Sequence, residues 1–195
     1  MPYFNSRDIT AISICASLWG VLNSILAPAF FRMFNLPFLC DLIGFSVLTL
    51  AAWWIRKFGA ITVIGIVATA VNFILVPGGV HFLGFTAASG FFDLTTRLAG
   101  YDNSFRKAAY TGVSMMTVSI SSAALAGYLI GTFFMAGPSL IKWGGVLGWA
   151  GLHTIGGIIG GAIGALLVTS LDSRGIMVKQ TVHRGGKPNS MRDPQ

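Results

Sequence analysis

Asp41, Asn72, His81, the pair Asp93 and Arg97, and His153 are the residues able to do chemistry within an otherwise apolar 195-residue chain. Asp93 and Arg97 stand four apart in a helical stretch, which places them on one face as a mutually neutralising pair. His153 lies about ten residues, or ~15 Å of helix, inside the last apolar stretch. At that depth its imidazole either donates to a neighbouring carbonyl or touches a ligand. Asn72 has the same two readings, and Asp41, at the start of the second stretch, fits a helix cap. Polar groups at membrane depth are costly and tend to face an interior or a cavity. Aromatic residues gather near them: Phe30, Phe31, Phe34 and Phe38 first, then Phe82, Phe85, Trp143 and Trp149. Aromatic walls with a few polar groups suit a flat, partly polar small molecule. The expected ligand-binding set is therefore Asn72, His81, Phe85, Trp143, Trp149 and His153.

Other chemistries have little to stand on. The chain has no GxxxxGK[ST] phosphate loop, no HExxH and no cysteine cluster, and its three histidines (His81, His153, His183) are dispersed. No two carboxylates sit close enough in sequence to suggest metal-dependent phosphotransfer. The reading is of no enzyme, with no catalytic residues, metal or cofactor. Cys15 and Cys40 read as packing residues, not as a disulfide.

The elements that must position these residues are membrane helices. Hydrophobic residues make up 54% of the chain and charged ones 10%, against about 25% charged in soluble domains; the mean hydropathy is +0.74. Apolar runs approach or exceed the ~20 residues that cross a bilayer. Six spans are expected, at about 9–27, 39–55, 60–76, 82–98, 109–134 and 143–169. The first, from Ile9, is long for a signal segment and is read as retained. The separators are "APAFFRMFNLP", read as an apolar outer loop, then "VPGGVH", "GYDNSFRK" and "AGPSLIK". Residues 1–171 form the membrane domain, and 172–195 a basic tail.

Cation placement orients the bundle. One side collects Arg7, Arg56, Lys57, Arg97, Arg106, Lys107, Arg174, Lys179, Arg184, Lys187 and Arg192; the other has Arg32 and Lys142. By the positive-inside rule both termini are cytoplasmic. The stretch "WWIRKFGA" then reads as a cytoplasmic turn, with Trp53 and Trp54 as interfacial anchors and Gly59 keeping it tight. The net charge of +7 lies at helix ends and in the tail, which points to lipid headgroups and away from nucleic acid. An all-α, multi-pass protein of the cell membrane results.

Small residues form ridges along two spans. In the last, Gly144, Gly148, Gly156, Gly160 and Gly164 share an i, i+4 row, with Gly157, Gly161 and Ala165 beside it. In the first, Ala11 pairs with Cys15, Ser13 with Ser17, and Ala16 with Gly20. Such ridges let helix backbones approach closely, either within the bundle or against another membrane subunit.

Six spans with cytoplasmic ends, an apolar outer segment after the first and a glycine-rich last one resemble the S components of energy-coupling factor (ECF) transporters. The turn Ile55-Arg56-Lys57-Phe58-Gly59-Ala60 and the following "IVATAVNFIL" are similar to the hydroxymethylpyrimidine/thiamine branch. The resemblance implies a substrate-capture subunit of a vitamin importer, with an outward pocket between spans four to six lidded by the segment after span one. It also implies a transmembrane coupling subunit, driven by ATPase subunits, that meets small residues of span one. The matching positions here read Ala11 with Cys15, or Ala16 with Gly20, and Gly156, Gly160 and Gly164 offer a second such face. A different class of function, an accessory subunit of a larger membrane complex, would use the same ridges as permanent interfaces and hold no ligand.

Overall fold

The computed structural model describes residues 3–135 and 137–176; most of the basic tail, with Lys179, His183, Arg184, Lys187 and Arg192, lies outside the described residues. Helix α1 spans Ser6–Phe34, α2 Phe38–Ile55, α3 Ala60–Leu75, α4 Phe82–Ala99, α5 Tyr101–Ser104, α6 Ala108–Leu129, α7 Pro138–Lys142 and α8 Gly145–Ser173. A π-helical turn, Ile130–Phe134, prolongs α6. No strand occurs among the described residues. Four helices are long and apolar enough to cross a membrane: α1, α2, α6 with its extension, and α8; α3 is shorter but also apolar. Their outward faces carry exposed aliphatics such as Ile14, Ile25, Ile66, Val113, Ile155 and Leu166. The chain is a helical, multi-pass membrane protein.

Each long helix packs chiefly on two others, in the order α1, α2, α8, α6, α4, α3 and back to α1. Phe45 of α2 stacks across the ring on Phe92 of α4 at 6.2 Å. Small residues set the spacing. A Cβ on Gly156 would lie 2.7 Å from the Asp41 Cβ, and one on Gly160 would lie 2.7 Å from the Asp41 carbonyl oxygen. The neighbouring row, Gly157 and Gly161, abuts Ser119 and Ala123 of α6 instead. The two glycine rows of α8 thus serve two different neighbours within the chain.

At one end of the bundle a capping box starts α1: the Asp8 N–H donates to Asn5 Oδ1, and the Asn5 N–H to Asp8 Oδ2, both at 2.9 Å. Lys57 Nζ reaches Asp8 at 2.6 Å, Arg56 reaches Asp102 at 3.3 Å, and Trp53 Nε1 donates to Asp172 Oδ1 at 3.0 Å. These contacts bring the start of α1 and the end of α8 to the same end. Arg56 itself closes α2 in the left-handed region (φ 51°), and Gly59 opens α3 at φ 90°, so the expected turn is there. Trp53 differs from its expected interfacial role: it is buried and ties α2 to α8.

Two further expectations are corrected. Asp93 does not pair with Arg97. Its Oδ2 accepts from Gly59 N (2.8 Å), Thr62 N (3.1 Å) and Thr62 Oγ1 (2.9 Å), and its Oδ1 from the Tyr101 hydroxyl at 2.9 Å. The free N–H groups at the start of α3 outcompete a flexible guanidinium, and Arg97 lies over the Phe58 ring at 4.5 Å. Burial, reinforced by the Asp93 carboxylate, raises the Tyr101 hydroxyl above the usual phenol range, so it stays a donor. Second, the outer loop after the first span is mostly helix. Helix α1 continues through Pro28 to Phe34 and stops at Asn35, which takes the left-handed conformation (φ 59°). A proline inside a helix costs about 3 kcal/mol; here Ala27 is buried beside it and Phe31 packs edge-on against Trp149 at 6.2 Å.

Candidate functional site

The residues expected to bind a ligand fall at the end of the bundle opposite the ionic cluster, and only some converge. His153 is their centre. Its Nδ1 lies 3.1 Å from Asp41 Oδ1 and 2.9 Å from Oδ2. The hydrogen bond runs to Oδ1, while Oδ2, although nearer, takes no aligned bond. Asp41 sits in the first turn of α2, where the helix dipole favours a carboxylate. Its expected role as a cap is overtaken by this pairing, because it is wholly buried.

Three helices make room for the dyad. Gly156 and Gly160 of α8 let α2 come close enough for Asp41 to reach His153. On the other side, a Cβ on Gly127 of α6 would lie 2.8 Å from the His153 Cβ and 2.9 Å from its Cδ2. Phe85 of α4 and Trp149 of α8 flank the imidazole, with ring centres 5.7 and 5.6 Å away. Phe85 in turn meets the edge of Trp19 at 6.2 Å. The sides of the site therefore come from α1, α2, α4, α6 and α8. Trp19, Asn23, Asp41, Phe85, Trp149 and His153 are each no more than 2% exposed.

The hydrogen-bonding state of these groups is unusual. Among the described residues, His153 Nε2, Trp19 Nε1, Trp149 Nε1 and both side-chain polar atoms of Asn23 are buried without a hydrogen-bond partner. Buried polar groups are paired in the great majority of cases, and each left alone costs about 1–3 kcal/mol. Asn23 is one helical turn beyond Trp19 on the same face of α1. These orphans thus gather along one aromatic chain that runs from α1 through Phe85 to α8.

The remaining expected residues are placed differently. Asn72 is committed elsewhere: Ser24 Oγ lies 2.7 Å from Asn72 Oδ1, and Asn72 Nδ2 donates to the Ala68 carbonyl at 2.8 Å. It ties α3 to α1. His81, at the start of α4, tilts against Phe82 at 4.4 Å. Burial first, and the neighbouring His153 second, lower its pKa, so it is neutral at pH 7. Trp143 follows α7 with Lys142 Nζ 5.4 Å from its ring centre, and its Nε1 has no partner among the described residues.

The small residues proposed as partner surfaces are occupied within the chain. Ala11, Cys15, Ala16 and Gly20 are buried, with Gly20 against Val71 and Ala68 of α3. Gly156, Gly160 and Gly164 face Asp41, Leu42 and Thr49 of α2. The outward row of α1 is instead Ser13 and Ser17, in a shallow groove with Ile14, Leu18, Val21 and Leu22.

Sequence reasoning missed Trp19 and Asn23, and gave Asp41 too small a part. The signal for Asn23 was available, since an amide inside a predicted span points to a buried role. Comparison of the chain with protein-family models, curated proteins and solved structures found no match.

Proposed function

We propose that this chain is the substrate-capture membrane subunit of a vitamin or micronutrient importer, of the kind found in ECF transporters, for a thiamine- or pyrimidine-like solute. The observation that carries the reading is the aromatic cluster around His153, with four residues whose polar atoms lack partners inside a membrane helix bundle. A flat ligand with several polar atoms would satisfy them. The coupling subunit and ATPases come from the resemblance of the turn at Arg56–Ala60 and of the overall layout. The chain has no phosphate loop with which to drive transport itself. The small residues of α1 and α8 expected at a partner interface are used inside the chain, so they supply neither the coupling-subunit contact nor the interface of the alternative, an accessory subunit.

In this reading all six long helices cross the cell membrane. Helices α3 and α4 have 16 and 18 residues, which gives ~24–27 Å at 1.5 Å per residue. The end carrying Arg7, Arg56, Lys57 and Arg97 is cytoplasmic. In a cysteine-free background, a cysteine at Arg106 should then react with a membrane-impermeant maleimide only after lysis, and one at Arg32 in intact cells. The opposite pattern would reverse the orientation.

Entry to a cluster this enclosed requires a segment to move. Helix α7 is flanked by Gly137 (φ 94°) and by Gly144 and Gly145 (φ 81° and 76°), backbone positions suited to a hinge. Binding is tested by tryptophan fluorescence of the purified protein titrated with thiamine, hydroxymethylpyrimidine, riboflavin, pyridoxine and biotin. One of these should quench saturably, and Trp149→Ala should weaken it by roughly tenfold or more. No saturable response to any of them would remove the reading.

A further inference from the structure

We infer that His153 presents a fixed Nε2–H donor to an acceptor atom of the bound solute, with Asp41 acting as the positioning residue behind it. This rests on the capture reading and specifies which chemistry the solute brings. Asp41 occupies Nδ1, so the only free atom of the imidazole is Nε2. Its role depends on how many protons the dyad holds. With two, one lies between Asp41 and Nδ1 and one sits on Nε2, which donates. With one, Nε2 is a bare acceptor and the pair carries a net negative charge.

Charge selects the two-proton form. Around the ring, α2 contributes Asp41 and the half-buried Cys40; the start of α4 contributes His81, held neutral; α6 meets the ring with Gly127, and α1 reaches Phe85 with Trp19. The described cations at this end are Arg32, which is exposed, and Lys142, which lies over Trp143. A net negative dyad would have no nearby cation in an apolar interior, which is strongly unfavourable. Along the same aromatic chain the unpartnered atoms are the indole N–H groups of Trp19 and Trp149, both polar atoms of the Asn23 amide, and Asp41 Oδ2. With Nε2–H among them donors outnumber acceptors, so a solute that satisfies the site is rich in acceptors. A neutral ring bearing lone-pair nitrogens or carbonyls fits; a cation whose polar atoms only donate does not.

The test combines one spectrum with one titration on the full-length protein. In histidine labelled with ¹⁵N, the His153 resonances are assigned by their loss in His153→Gln. The probe is 4-amino-5-hydroxymethyl-2-methylpyrimidine, a ring with two acceptor nitrogens, titrated at neutral pH. The inference expects a protonated Nε2 whose signal shifts on adding probe. It also expects a loss of roughly tenfold or more in His153→Phe. His81→Gln should leave the Nε2 resonance unchanged, and Asp41→Asn should shift it in the probe-free protein. A bare Nε2 at pH 7 overturns the inference. Equal binding to wild type and His153→Phe also overturns it, but leaves the capture reading standing. A protonated Nε2 that no probe concentration shifts, with no quenching, removes this inference, and silence of the whole vitamin panel removes the capture reading with it.

Discussion

Gly160→Val is expected to destabilise the protein by about 3 kcal/mol, the upper end of overpacking costs, and to abolish solute binding with it. The new Cβ would meet the carbonyl oxygen of Asp41 at 2.7 Å, the Cα of Leu42 at 3.0 Å and the carbonyl oxygen of Leu42 at 3.1 Å. All three are backbone atoms, which no side-chain rotation can move aside. Helix α2 would have to retreat from α8 and would carry Asp41 away from His153. Gly151 supplies the contrast, since a Cβ there meets nothing within 4 Å. Gly151→Ala should therefore leave both stability and binding intact. Thermal unfolding of the detergent-solubilised variants, followed by size-exclusion fluorescence, separates the two. Equal midpoints for Gly160→Val and wild type would contradict the close α2–α8 contact on which the site depends.

Asp93→Ala should cost about 4 kcal/mol without touching the proposed solute site. Removing the carboxylate leaves the amides of Gly59 and Thr62 and the hydroxyls of Thr62 and Tyr101 without their shared acceptor. Each such loss costs about 1–3 kcal/mol, and losses around one acceptor add incompletely. Asp93→Asn keeps one oxygen but turns an amide nitrogen toward donors, so roughly half the effect is expected. Tyr101→Phe removes a single bond and should cost about 1 kcal/mol. Arg97→Ala should change stability little, because its guanidinium lies on Phe58 and not on Asp93. Unfolding midpoints rank the four variants, and faster hydrogen exchange at the Gly59 and Thr62 amides in Asp93→Ala would locate the damage. A larger loss in Arg97→Ala than in Asp93→Ala would contradict this assignment.

Helix positions were legible because apolar runs and Gly-Pro punctuation act locally. The expected starts at 39, 60 and 82 fall within one residue of Phe38, Ala60 and Phe82. Pro28 misled because the cost of a proline is local, whereas the packing of Phe31 on Trp149, which accompanies the longer helix, joins residues over a hundred positions apart. The glycine rows were visible as i, i+4 spacing, but spacing cannot say which helix fills a groove. Asp93 shows the same limit: Arg97 is its neighbour along the helix, yet the start of α3 lies closer in space.

The site was half legible for a related reason. His153, Trp149 and Phe85 stood out as polar or aromatic residues in apolar runs, and they meet. Asp41 was noticed but assigned to its own helix, since its 112-residue separation from His153 is invisible without the ring order. Trp19 joins the site only through its edge contact with Phe85 of α4, and Asn23 follows one turn along α1.

The central claim is the proposed one, that the interior around His153 holds a captured solute whose uptake partner subunits drive. Native mass spectrometry of the protein, extracted gently from its own membranes, tests this most directly. A retained small-molecule mass, lost in Trp149→Ala, or ATPase and coupling subunits in the same assembly, is the predicted result. A stoichiometric assembly with unrelated membrane subunits and no bound small molecule would contradict it.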